Sequence, residues 1–138
     1  MTLQDHAISI IEKVDEKIEK LLYQHGFDKK IRTSDESIFA EKLFYQKEGF
    51  ELEIVACVHP HDYPYSLSVR FIKKISYAYE YLNLFDLINL SNKRPPIEWD
   101  ELLIATDDQI ESTIELFYDL LKTALEENLL SYWNNLPR

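Results

Sequence analysis

Two glycines, one cysteine and one methionine are all that this chain of 138 residues holds of those types. The glycines, Gly26 and Gly49, both sit where structural punctuation is expected. Phosphate-cradling loops need several glycines close together, where the backbone approaches the anion or takes positive φ. That excludes the P-loop and the dinucleotide-binding turn. The lone Cys57 has no partner for an internal disulfide and cannot supply the thiolate cluster of a structural zinc site. A reducing compartment fits it best. No apolar run approaches the roughly 20 residues of a membrane span. Asp5 comes early and no basic stretch precedes the first apolar residues, unlike a secretory signal. The expected location is cytoplasmic.

Positive charge is missing from one long stretch. No Lys, Arg or His lies between Arg94 and Lys122, while eight acids do: Glu98, Asp100, Glu101, Asp107, Asp108, Glu111, Glu115 and Asp119. The rest of the chain is close to balance, so most of the net charge of -10 comes from this segment. Such a field steers a cationic partner and repels nucleic acid and anionic lipid. Nucleic-acid binding needs a basic footprint, and Lys73-Lys74 and Lys93-Arg94 are too small to supply one.

What is present points to a folded domain. Hydrophobic residues make up 46% and aromatics 13%, enough apolar surface to offset the entropy of ordering at this length. Residues 3 to 25 read as an amphipathic helix, with Ala7, Ile11, Val14, Ile18 and Leu21 or Leu22 at helical spacing. His25, Gly26 and Phe27 mark its end. Residues 38 to 46 read as a strand, and Lys47-Glu48-Gly49 as a hairpin connection. From Phe50 to Val58 apolar residues alternate cleanly, and the second half is apolar on both faces, as in a central strand covered on its far side. Leu67, Val69 and Phe71 mark a third strand. Residues 75 to 90 fit either type; a strand to about Tyr81 followed by a short helix through Leu90 is the preferred reading. Ser91 to Pro96 is a loop. A final helix is expected from Thr106 or Asp107 to about Asn128 or on to Trp133, with Thr106 and Gln109 at capping-box spacing. The expected fold is a single α+β domain over residues 1–138: an antiparallel sheet of three to four strands flanked by long N-terminal and C-terminal helices.

Three features bear on function. Asp107, Glu111, Glu115 and Asp119 recur every four residues and form an acidic ridge on one helix face. The plainer reading is a solvated face, or pairing with Lys13, Lys17 and Lys20 if the helices lie side by side; the functional reading is a docking surface for a basic partner. Tyrosines cluster at Tyr63, Tyr65, Tyr77, Tyr79 and Tyr81; they suit a recognition surface, with Tyr77 and Tyr79 as contacts, or merely straddle the core edge. His59-Pro60-His61-Asp62 resembles a metal or catalytic cluster. A catalytic zinc needs three ligands, and His6 and His25 lie at opposite ends of the first helix, so a polar turn is the plainer reading. Cys57, in an apolar strand, reads as an inert core residue.

The stretch Leu21-Leu22-Tyr23-Gln24-His25-Gly26-Phe27, leading into strands with Phe44 and Phe50, resembles small bacterial helix–sheet–helix proteins of the polymorphic-toxin immunity type. The resemblance covers the first half and the closing helix. It implies a binding protein that neutralises a toxin, its acidic surface mimicking an anionic substrate. The leading functional expectation is therefore a non-enzymatic, acidic protein-binding domain, without cofactor, acting on a basic protein. The rivals are a small metal-dependent hydrolase using His59, His61 and Asp62, and a homo-oligomeric scaffold subunit.

Overall fold

The computed structural model describes residues 2–58, 65–99 and 101–137. Helix α1 (Leu3–Gln24) starts on a reciprocal capping box. Thr2 Oγ1 accepts the Asp5 N–H at 3.1 Å, and Asp5 Oδ2 accepts the Thr2 N–H at 3.0 Å. Its apolar stripe, Ala7, Ile10, Ile11, Val14, Ile18, Leu21 and Leu22, is buried. The expected stop is built in full. Gly26 takes φ 89°, its N–H reaches the Tyr23 carbonyl at 3.2 Å, and the Phe27 N–H reaches the Leu22 carbonyl at 3.1 Å. These two bonds cap the last carbonyls, and the buried Phe27 ring folds back under the helix.

Among the described residues six strands form one antiparallel sheet: β1 (Lys29–Asp35), β2 (Ala40–Lys47), β3 (Phe50–Cys57), β4 (Tyr65–Ile75), β5 (Ala78–Asn83) and β6 (Leu102–Ile104). Their order is β1-β2-β3-β4-β5, and β6 pairs with the first residues of β4 beyond the reach of β5. The expected three to four strands are β2 to β5; β1 and β6 are additions. β1 escaped the pattern because Lys-Lys-Ile-Arg-Thr-Ser-Asp has no alternating apolar face, and at three residues β6 is too short to show one. Ile38 and Phe39 are not strand but a 3-10 turn (Glu36–Ile38) and a left-handed residue before β2. Glu48 and Gly49 join β2 to β3, with Lys47 opposite Phe50 and Gly49 at φ 84°.

The ambiguous segment is a strand and then a helix. β5 runs to Asn83, whose side chain caps α2 (Leu84–Asn89) by accepting the Asp86 N–H at 2.8 Å. The last helical region is two helices, α3 (Ile110–Glu126) and α4 (Leu129–Asn134), separated by Asn128 in the left-handed conformation. A 3-10 turn (Asp107–Gln109) precedes α3. The expected capping box is not made. The Thr106 hydroxyl donates to the Asp108 carboxylate, and Gln109 Oε1 accepts from the Ala105 N–H at 3.1 Å instead of from Thr106.

The long helices do not sandwich the sheet. They share one face, over the alternate residues Leu43, Tyr45, Leu52, Ile54, Leu67, Val69 and Phe71, and one continuous core results. α1 lies mainly over β2 and β3, and α3 packs between α1 and α2. α4 brings Trp133 against Phe50, ring centroids 6.2 Å apart. The opposite face carries Lys29, Ile31, Phe44, Glu51, Glu53, Arg70, Ile72, Lys74, Tyr79 and Tyr81, placed there by register. Toward the Cys57 end this face is covered, as the two-sided apolar pattern of β3 implied. Ala40 and Ser66 are buried there, and Cys57 Sγ donates to the Ile38 carbonyl at 3.1 Å.

Among the described residues two charged side chains, Glu41 and Lys73, are buried on the helix side. Glu41 accepts from Ser34 Oγ at 2.6 Å, Gln4 Nε2 at 3.1 Å and Arg32 at 3.3 Å, so its carboxylate is well partnered. Lys73, 3% exposed, pairs with Glu80 at 3.4 Å and lies 4.5 Å from the centre of the Trp133 ring.

Candidate functional site

On α3 the buried stripe Ile110, Ile114, Phe117, Leu121 and Leu125 leaves Glu111, Glu115 and Asp119 on the exposed side, as their four-residue spacing requires. Asp107 lies before the helix. Its Oδ1 accepts the Tyr65 hydroxyl at 2.5 Å, and the same hydroxyl lies 3.1 Å from His6 Nδ1. A hydroxyl that donates to Asp107 is an acceptor toward His6, which assigns the His6 proton to Nδ1. Burial, then the Asp107 carboxylate, push the Tyr65 phenol up to about 12. Asp107 thus fixes the start of α3 to β4 and α1.

Glu115 is also engaged. Lys17 of α1 donates to its Oε1 at 2.6 Å and lies 4.9 Å from the centre of the Tyr118 ring. Its hydrogen bond to Glu115 holds the Lys17 ammonium above the ordinary lysine range. The side-by-side alternative therefore holds for one lysine of three. Lys13 lines a cleft with Glu111 but makes no ion pair among the described residues, and neither does Lys20. Glu111 and Asp119 are exposed without an ion pair among those residues. The bases that flank the acidic segment turn elsewhere: Arg94 bonds to Glu127 at 2.5 Å, and Lys93 approaches the same carboxylate at 3.9 Å. The four-acid ridge divides into two acids tied into contacts and two, Glu111 and Asp119, without an ion pair among the described residues, although the Asp119 charge also acts on Lys17.

Of the clustered tyrosines, Tyr65 touches the ridge through Asp107, whereas Tyr77, Tyr79 and Tyr81 are not beside it. Tyr77 follows Ser76 in the turn between β4 and β5 and is fully exposed. Tyr79 and Tyr81 project from the helix-free face of the sheet, whereas α3 packs on the other. There they border an open groove of about 600 Å³ with Lys29, Gln46, Glu51, Ile72 and Lys74. The Arg70 guanidinium lies 4.5 Å from the centre of the Tyr81 ring and bonds to Glu53 at 2.5 Å. Strand alternation separates the two groups: β5 turns Tyr79 and Tyr81 away from the side that holds the helices.

His59, His61 and Asp62 lie outside the described residues, as do Tyr63 and Asp100. Among the described residues no group of three His, Cys, Asp or Glu is arranged to hold a metal. No described helix is long and apolar enough to cross a membrane. Cys57 is half-buried, and burial pushes its thiol up, away from the reactive thiolate.

No protein-family model, curated protein or solved structure matches this chain. Its site is therefore read from its own geometry. Sequence reasoning missed the His6–Tyr65–Asp107 junction and the Glu41 cluster. The junction leaves no local signal, since its bonds span 42 and 59 positions; the Glu41 cluster joins Gln4, 37 positions away, to Arg32 and Ser34 of β1, the strand that the pattern did not show.

Proposed function

We propose that this chain is a non-enzymatic protein-binding domain whose exposed acids on and before α3 contact a basic protein. One observation carries the reading: Glu111 and Asp119 stand exposed and unpaired among the described residues, while Lys17, Lys93 and Arg94 are turned to other carboxylates. Exposed charge of one sign raises the encounter rate with a cationic surface and selects against acidic ones. Leu116, exposed on the same helix, offers the apolar contact that charge alone does not provide. The immunity-type resemblance narrows the partner to a basic toxin, with the acids in place of its anionic substrate. A reducing, cytoplasmic setting belongs to the same proposal, because Cys57 has no second cysteine to pair with.

The test is affinity capture from source-cell lysate with wild type and with Glu111→Lys/Asp119→Lys, then binding measurements on the purified partner across ionic strength. Glu115 and Asp107 stay intact because both hold structural contacts. The expected result is a basic protein kept by wild type, lost by the variant and released by salt. For the immunity reading, stoichiometric wild type must also abolish that partner's toxicity. Equal capture by both baits, or a partner without a basic surface, overturns the assignment to this ridge.

A further inference from the structure

We infer that the free edge of β1 pairs with β1 of a second copy, joining two sheets across a twofold axis into one antiparallel sheet. β1 is a seven-residue strand with neither proline nor glycine, and six of its residues are exposed. It ends the strand order, so among the described residues its outer row of backbone groups faces no other strand. An edge of this kind is a template for another strand unless something guards it.

Lysine and arginine are the usual guards, and β1 carries Lys29, Lys30 and Arg32. Two of the three are neutralised within the chain. Lys30 bonds to Asp15 at 2.9 Å and to Glu19 at 2.5 Å, and Arg32 pairs with Glu41 at 3.3 Å and Glu12 at 3.8 Å. Both side chains fold over the helix face and leave the edge without their charge. Lys29 and Asp35, at the two ends of the strand, make no ion pair among the described residues, and Asp35 Oδ1 accepts from the Ser37 N–H at 3.2 Å and the Ser37 hydroxyl at 2.5 Å.

The sequence of β1 is complementary to itself in one register. Both sheets keep their helix-free faces on the same side only if paired residues have the same parity, because side chains alternate with period two. With Arg32 on the axis, all seven residues pair: Lys29 meets Asp35 of the second copy twice over, Lys30 meets Ser34, and Ile31 meets Thr33. A shift that centres Ile31 sets Lys30 against Arg32 and leaves Asp35 unpaired. A shift that centres Thr33 removes both Lys29 pairs. The longest register is thus also the electrostatically matched one. The helices do not obstruct it. Three strand spacings of about 4.8 Å would separate β2 from its symmetry mate, more than the roughly 10 Å that packed helices need. This surface lies on the opposite edge from β5 and does not use the α3 acids.

Light scattering coupled to size exclusion, over a range of protein concentration, tests the pairing. Wild type is expected to form a dimer of twice 16.4 kDa. Lys29→Asp and Asp35→Lys each put like charges opposite one another and should weaken it by roughly tenfold, with the double exchange restoring it. Far-UV circular dichroism confirms that each variant is folded. A second measurement uses Arg32→Cys with Cys57→Ser. A cysteine on the axis is expected to give a covalent dimer on mild oxidation, whereas Lys29→Cys in the same background stays monomeric on a reducing-agent-free gel. Wild type that is monomeric at millimolar concentration overturns the inference. So does a dimer indifferent to Lys29 and Asp35 that also yields no Arg32→Cys cross-link.

Discussion

Lys17 Nζ lies 2.6 Å from Glu115 Oε1, a bond that joins α1 to α3 across 98 positions of sequence. The pair is solvent-exposed, so its role is to orient the helices more than to stabilise them. Glu115→Gln is expected to change the melting temperature only slightly, and that change should shrink further in high salt. The Lys17 ammonium is held above its ordinary value, so this contribution is complete below the unfolded lysine value and is lost as pH rises through the folded one. Thermal melts of both proteins between neutral and strongly alkaline pH check the sign: their difference should vanish only at the alkaline end. A large difference at neutral pH would mean that the pair carries core stability.

Tyr45 is fully buried and donates its hydroxyl to Asp15, which Lys30 also reaches. Burial, then the Asp15 carboxylate, hold its phenol far above the ordinary tyrosine range. A charge-assisted hydrogen bond of this kind is worth about 1.5–3 kcal/mol, so Tyr45→Phe should cost an amount in that range by urea unfolding. In an absorbance titration at alkaline pH, Tyr45 and Tyr65 should ionise above the ordinary tyrosine value, with Tyr65 near 12. Because the unfolded phenol ionises at about 10, folding stability should fall as pH rises above that value. Ionisation of Tyr45 and Tyr65 at the ordinary tyrosine value while the protein stays folded, seen as no loss of the high-pH absorbance step in Tyr45→Phe and Tyr65→Phe, would refute this.

Lys73 is the other buried charge that mutation can isolate. Its stem packs in the core, and its ammonium sits between Glu80 and the Trp133 ring. Lys73→Ala removes the stem and leaves a void, at a cost of about 2–4 kcal/mol. Lys73→Met keeps the stem volume and should cost under about 1.5 kcal/mol. Tryptophan fluorescence of the folded state should shift in both, because the cation leaves the indole. Equal destabilisation by the two variants would place the value in the charge and not in the packing.

Gly26 stands at φ 89°, and a Cβ there would meet only the Lys47 side chain at 3.9 Å, an ordinary contact. The penalty for Gly26→Ala is therefore backbone strain alone, about 1–2 kcal/mol. Gly26→Asn should recover part of it, since asparagine tolerates the left-handed region. Denaturant unfolding of the three proteins gives the order Gly, Asn, Ala; an alanine variant as stable as wild type would contradict the cap.

The sequence by itself determined the elements whose signal is local. The stripe from Ala7 to Leu22 with Gly26 behind it specified α1 and its end, because a helix needs only a 3.6-residue period and a cap. Alternation from Phe50 onward specified β3 and the choice of its core face. It also placed Glu111, Glu115 and Asp119 on one exposed side of α3. Tertiary structure decided what depends on distant partners. It added β1, which has no apolar period and forms because Lys30 and Arg32 find acids on α1 and its backbone finds β2. It put both long helices on one face, so that Tyr79, an expected partner contact, faces away from the acids expected to serve the same end. It also divided those acids, tying Asp107 to Tyr65 and Glu115 to Lys17 while Glu111 and Asp119 have no ion pair among the described residues. Spacing sets which side chains share a face; only the folded chain sets which charges are neutralised.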